Sequence, residues 1–184
     1  MGLDISLFTD NFEEISELEA FEAIEEQCNL SREFCNLMTR RSVIESGIPE
    51  LDQIANFSGC DINFLYSMEN YTSEWELEEI EEYEDEETIE AMKKTNAEIE
   101  NNIDDVIAKM KALISALNKQ ENLENRFNKT DFDTIGINEY FADFNLDKGD
   151  GYIGNNFGRD LRNILRFAEF AKAHSSNTIF FQYG

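Results

Sequence analysis

The sequence predicts an α+β fold, mainly α: a helical bundle with a long helical arm and a small sheet pairing the N- and C-terminal strands. Three observations carry this. Strand-forming runs stand at the two ends, LDISLF at 3–8 and TIFFQY at 178–183. Between them apolar residues recur at helical spacing. The composition, 41% hydrophobic with fifteen Phe and one Pro in 184 residues, suffices for one core and excludes a wholly disordered chain. A single domain over 1–184 is expected. It divides into an acidic helical half, 1–92, a long heptad helix, 88–118, and a C-terminal helix and strand within 119–184.

The elements follow in order. Phe12, Ile15, Leu18, Phe21, Ile24 and Cys28 repeat with glutamates between them and predict a helix over 12–28. Ser31 is placed to cap a second helix containing Phe34, Leu37 and Met38, with Arg40 and Arg41 at its negative end. Pro49 opens a third helix and Gly59 stops it. Asp61 caps a fourth, containing Ile62, Leu65, Tyr66 and Met68. Ser73-Glu74-Trp75-Glu76 fits a capping box. From Ile89 the steps alternate three and four through Met92, Asn96, Ile99, Ile103, Val106, Met110, Leu113 and Leu117. This heptad seam predicts one helix roughly 45 Å long. Leu77 and Ile80 lie out of its phase, so a turn is expected near Glu84–Glu87. A short helix around Ile137–Phe144, a Gly/Asp loop at 145–158 and an amphipathic helix over 159–173 complete the chain.

Charge is the strongest signal. The net charge is −25. Residues 1–92 carry 26 acids and three bases (Arg32, Arg40, Arg41), a balance of −23; residues 93–184 carry 14 acids and 12 bases, a balance of −2. Such a field disfavours bare nucleic acid, whose phosphates need cations, and anionic membrane surfaces. No apolar run approaches 18 residues and no charged segment with an apolar stretch opens the chain. The three cysteines, Cys28, Cys35 and Cys60, fit no zinc spacing and read as reduced, mostly buried thiols, which suits a cytoplasmic setting. MGLDIS matches the loose myristoylation pattern, Gly2 with Ser6, although a strand is the simpler reading.

The charge peaks at Glu74–Glu90, with eleven carboxylates in seventeen residues and no base. As one helix this stretch contains like-charged i,i+4 pairs at 74/78, 78/82, 82/86, 86/90 and 81/85, costing on the order of 1–2.5 kcal/mol together. It would present a carboxylate about every 2.3 Å along its axis, near the roughly 1.7 Å charge spacing of duplex DNA. Trp75, Ile80 and Tyr83 add the aromatic and aliphatic anchors that interfaces favour. The plain alternative is a solvated acidic surface without a partner.

Other motifs point to structure. LDQIANFSGCDINFLYSM, 51–68, reads as a helix-turn-helix, but its second helix lacks Lys and Arg, so DNA reading is not expected. The 143–154 loop does not fit a working calcium site: with Asp143 at position 1, Lys148 stands where Gly belongs and Gly154 where Glu belongs. The one histidine, His174, lies near a helix end. No phosphate-binding loop, nucleophile elbow or dinucleotide fingerprint is present. No catalytic residue, metal ligand or cofactor is therefore assigned, and an enzyme is not expected.

MGLDISLF at the start, and TIFFQYG preceded by LRNILRFAEFAKAH at the end, resemble a loose set of uncharacterised phage and bacterial proteins. The resemblance implies a phage-like or mobile-element origin. By character the chain looks like acidic phage proteins that block host defence nucleases, including anti-CRISPR and DNA-mimic inhibitors. The expected function is thus a non-enzymatic inhibitor that binds the basic nucleic-acid-binding surface of a host or defence nuclease. Its expected contact residues are Glu74, Trp75, Glu78, Glu79, Glu81, Glu82, Tyr83, Glu84, Asp85, Glu86 and Glu87. The rival classes are an immunity or antitoxin protein neutralising a basic toxin, and a helical scaffold, with a homodimer through Ile89–Leu117 as its partner surface.

Overall fold

Alternation along the end strands gives them two faces. In the computed structural model, which describes residues 4–131, 137–149 and 154–184, β1 (Ile5–Thr9) and β2 (Ile179–Tyr183) form a two-stranded antiparallel sheet. Ile5, Leu7 and Thr9 face Tyr183, Phe181 and Ile179, and Ser6 and Phe8 face Gln182 and Phe180. The free edge of β1 is closed by Leu7 N donating to Cys28 O (2.7 Å) and Leu30 N donating to Ile5 O (3.1 Å). Both edges of so small a sheet need such closure against pairing with other chains. On β2, the Asn102 side chain supplies it by accepting from Ile179 N (2.9 Å) and donating to Ile179 O (2.8 Å).

The chain between the strands is mainly helical. It contains α1 (Phe12–Ser16), α2 (Arg32–Met38), α3 (Arg40–Val43), α4 (Glu50–Ser58), α5 (Asn63–Glu69), α6 (Glu74–Ile80), α7 (Glu86–Ile99), α8 (Ile103–Leu117), α9 (Ile137–Tyr140) and α10 (Phe157–Ala173). Most local caps act as read. Ser31 Oγ accepts from Phe34 N (3.2 Å), and Ser73 and Glu76 complete a reciprocal capping box. Gly59 ends α4 at φ 69°, a left-handed position that glycine takes without strain. Asp61, expected to cap this helix ahead of Ile62, stands one residue further out: α5 begins at Asn63 with Ile62 at its N-cap, and Asp61 Oδ1 accepts from Asn63 N (2.9 Å).

The core lies between α8 and α10 and extends to the inner sheet face. Val106, Met110, Leu113 and Leu117 of α8 and Leu161, Ile164, Phe167 and Ala168 of α10 are all buried in it, with Ile5, Leu7, Ile179 and Phe181 from the strands. Gly158 is required on α10, because a Cβ there would stand 1.9 Å from Phe144 O.

Four further expectations are corrected. The helix over 12–28 is α1 followed by 3-10 turns at Glu19–Ala23 and Glu25–Gln27. That segment holds seven glutamates and no base, so like-charged pairs one turn apart oppose a continuous helix. The heptad helix 88–118 is two helices, broken at 100–102. Asn101 takes φ 61°, a left-handed position that asparagine tolerates, and its N–H donates to Thr178 Oγ1 (3.1 Å); Ile103 N donates to Asn177 O (3.1 Å) and Asn102 closes β2, so contacts to the terminal segment replace helical bonds at the break. The homodimer through Ile89–Leu117 loses its surface: Ile103, Val106, Met110, Leu113 and Leu117 are at most 4% exposed within the chain. Asn96, the polar position in the seam, holds the backbone of Thr72, accepting from its N–H (2.9 Å) and donating to its carbonyl (2.6 Å). Finally, Arg40 does not end α2. It starts α3, fully buried, with Nε and Nη2 on the two oxygens of Glu50 at 2.8 and 2.7 Å.

Candidate acidic and aromatic interface

The acidic stretch is a helical hairpin. α6 runs from the capping box to Ile80, the chain turns through 81–85, and α7 begins under Asp85, whose Oδ1 accepts from Thr88 N (2.8 Å). The turn expected near Glu84–Glu87 is thus present. It also corrects the rod of evenly spaced carboxylates: the acids fold back on themselves. Of the five like-charged pairs, 74/78 lies inside α6 and 86/90 inside α7, and the turn interrupts the other three. Relief of that repulsion is a physical reason for breaking the helix there.

All eleven residues expected at the interface are exposed, Trp75 by 65% and Tyr83 by 79%. Glu81 pairs with Lys93 at 2.6 Å. Asp85 is held below its ordinary carboxylate range by its hydrogen bond from the Thr88 backbone. The remaining nine make no ion pair with the described residues, and the acids among them are exposed to solvent.

The rest of the acidic half behaves similarly. Among the described residues its ion pairs are Arg40–Glu50, Arg41–Asp52 and Lys109–Asp61. The cations of the second half mostly serve acids of the second half: Lys111 with Glu169, Lys148 with Asp143, Arg162 and Arg166 with Asp147, and Lys172 with Asp104. Little of the first half's charge is therefore neutralised from within.

The hairpin is rooted on the outer sheet face. Phe180 packs against Tyr71 (ring centroids 4.5 Å) and Phe8 (6.3 Å), and Phe8 packs against Phe12 (4.2 Å). The Tyr71 hydroxyl is pushed above its ordinary value by burial and then by Glu100, Asp10 and Glu74. Beside this aromatic row lies a groove of about 570 Å³, lined as well by Trp75, Glu74 and Glu78 of α6 and by Glu13 and Glu14 of α1. Sequence reasoning found Trp75, Glu74 and Glu78 but missed Phe8, Phe12, Tyr71, Phe180, Glu13 and Glu14. The available signal was the alternation that turns Phe8 and Phe180 to the same outer face as Ser6 and Gln182.

Other reactive side chains are committed to structure. Burial pushes the Cys28 thiol up to about 12 and the Cys35 thiol up to about 11, leaving both poor nucleophiles. His174 ends α10, with Nδ1 2.9 Å from Phe170 O and its ring 4.3 Å from the Phe170 ring. In the loop read against a calcium pattern, Asp147 is bound by Arg162 and Arg166 at 2.7 Å each; residues 150–153 lie outside the described residues. Among the described residues no group of three or more His, Cys, Asp or Glu side chains is arranged to hold a metal ion, and no helix is long and apolar enough to cross a membrane.

One buried site escaped the sequence reading altogether. Asp160 is fully buried and accepts from Ser31 N (3.2 Å), Ser31 Oγ (2.5 Å), Tyr140 OH (2.7 Å) and Asn155 Nδ2 (3.2 Å). It joins α10 to the caps of α2 and to α9. Compared with models of protein families, with curated proteins and with solved structures, the chain matches none.

Proposed function

We propose that this chain is a non-enzymatic acidic inhibitor that docks on the basic nucleic-acid-binding surface of another protein, a host or defence nuclease in the manner of anti-CRISPR and DNA-mimic proteins. The observation that carries the reading is the unneutralised charge of the α6–α7 hairpin. Carboxylates that the chain's own cations leave free are available to lysines and arginines that otherwise hold phosphates. Their long-range field speeds encounter with a basic partner, and salt weakens it. Exposed Trp75 and Tyr83 supply the large aromatic contacts that give such an encounter lifetime. Mimicry here rests on charge density on a folded-back hairpin, not on the axial repeat of a rod.

The test is a binding screen of purified basic nucleases, restriction-type and RNA-guided, at about 50 and 300 mM salt, where screening separates long-range from contact terms. Glu79, Glu82, Glu84, Glu86 and Glu87 are exposed and unpaired, so replacing all five with Gln leaves the fold intact. Binding that duplex DNA displaces, that weakens with salt and that the five-fold variant loses is the expected result. Binding that survives the five substitutions, or a screen in which no basic nuclease binds, refutes the reading.

A further inference from the structure

The groove at the root of the hairpin has a different chemistry from the hairpin tip. Its floor is aromatic: Phe12, Phe8, Phe180 and Tyr71 in contact, with the Trp75 indole beyond. Its walls are carboxylates. Glu13 and Glu14 of α1 and Glu74 and Glu78 of α6 line it, all exposed and none in an ion pair with the described residues. Asp10 also borders the groove but is spent on structure, accepting from the backbone N–H of Asn177 (3.0 Å) and Thr178 (3.2 Å). The Gln182 side chain, in contrast, lines the groove without an internal hydrogen bond to the described residues.

Charge complementarity selects the occupant. A neutral or acidic peptide would bury unpaired carboxylates at a cost, and nucleic acid would be repelled. A purely aliphatic segment would satisfy the floor and strand the walls. A segment with alternating basic and apolar side chains satisfies both. An extended segment is the simplest one to do so, because its successive side chains point to opposite sides and can reach the aromatic floor and the carboxylates in turn. Arginine suits the site better than lysine. Its planar guanidinium stacks on indole and phenol faces and forks onto carboxylates, whereas ammonium is a hydrated point charge.

We propose that this groove binds an extended, arginine-bearing peptide segment of a basic protein, its apolar side chains on Phe8 and Phe180 and a guanidinium on Trp75 between Glu74 and Glu78. The inference deepens the reading of the chain as a ligand for a basic protein, and rests on it for its biological setting. Its physics is separate: the hairpin supplies a field, whereas the groove supplies contact and sequence preference.

Trp75 is the one tryptophan, so its fluorescence reports occupancy directly. The probe is a nonapeptide alternating Arg and Leu, titrated into the full chain, with Lys/Leu and Glu/Leu versions as comparisons. A labelled copy followed by anisotropy serves the Trp75→Ala variant. Expected are a saturable change in indole emission, binding order Arg over Lys, and no binding of the Glu peptide. Trp75→Ala, and separately Glu74→Gln with Glu78→Gln, should each weaken binding about tenfold, the size of one or two lost cation–π or charge-assisted contacts. Glu82→Gln with Glu84→Gln, Glu86→Gln and Glu87→Gln at the hairpin tip should change it less than about twofold, as expected of exposed, screened charges. The proposal is overturned if the Arg peptide does not saturate, or if affinity follows the tip charges and ignores Trp75. The two readings fail separately. Loss of nuclease binding on tip neutralisation stands whatever the groove variants do, and peptide binding in the groove stands if no nuclease binds.

Discussion

Asp160 offers the sharpest test of how this core is held. Its two oxygens, at 0% exposure, accept four hydrogen bonds, from Ser31 N, Ser31 Oγ, Tyr140 OH and Asn155 Nδ2, and no cation lies among those partners. Asp160→Ala strands four donors in a dry site. At about 1 kcal/mol or more per stranded donor the loss is at least about 4 kcal/mol, a large share of the roughly 5–15 kcal/mol that stabilises a domain. Asp160→Asn keeps the shape. Its oxygen can retain two donors, but the Ser31 and Tyr140 hydroxyls must then turn and accept, which leaves two hydroxyl hydrogens unpaired; a loss of about 2 kcal/mol or more follows. The pH dependence is diagnostic. Burial raises the Asp160 carboxyl above its ordinary value, and the four donors only partly oppose this. A carboxyl raised in the folded state binds protons more tightly folded than unfolded. Its stabilising contribution is therefore complete below the unfolded value of about 4 and declines as pH rises through the folded value. Every other carboxylate titrates alike in the wild type and the Asn variant, so their difference isolates Asp160. Urea denaturation followed by circular dichroism between about pH 4 and 7.5, a range that begins at the unfolded value, should show the wild-type advantage over Asp160→Asn largest in acid and shrinking toward neutrality. A flat difference, or one that grows with pH, refutes the reasoning, because it means the four donors outweigh burial.

Two further outcomes follow from buried polar contacts. Arg40→Ala leaves Glu50 charged and unpaired at 0% exposure and should cost about 3–5 kcal/mol. Arg40→Met combined with Glu50→Leu should recover most of that loss in the same urea experiment, since two apolar groups of similar volume strand no charge. Asn102→Ala removes both bonds that close β2, at 2.8 and 2.9 Å. The expected cost is about 1–3 kcal/mol, and the Ile179 amide should lose hydrogen-exchange protection before the α10 amides do; unchanged protection at Ile179 would show that the strand does not depend on this side chain.

Some of this fold was legible because it depends on neighbours in sequence. Ser31, Ser73 and Gly59 cap by local chemistry, and each acts as read. The two end strands were legible because β-branched and aromatic runs stand out in a helical chain. The heptad seam was legible as burial but not as continuity. Its phase marks a buried stripe correctly, yet the break at 100–102 is decided by Asn102 meeting Ile179, 77 residues away, which no local window contains. The 12–28 segment misled for the opposite reason: its apolar phase is good, but periodicity ignores the repulsion among seven glutamates. The hairpin half of the candidate site could be named because its residues are contiguous. The groove half could not, since its parts come from 8–14, 71–78 and 180–182 and meet only once β1 and β2 pair.

The pattern of ion pairs bears on why the hairpin is acidic at all. A chain burdened with repulsion among exposed carboxylates has a simple remedy in its own cations. α7 itself carries the adjacent lysines Lys93 and Lys94. Only Lys93 is used, on Glu81, and Lys94 is exposed and makes no ion pair. Meanwhile Lys109 spans two acids, Asp61 at 3.4 Å and Asp105 at 2.8 Å, and Arg162 and Arg166 share one, Asp147. Cations are thus concentrated where they tie loops and helices of the body together, and sparse where the charge is greatest. Exposed pairs add little stability, about 0–1 kcal/mol each, so folding alone places no strong demand either way.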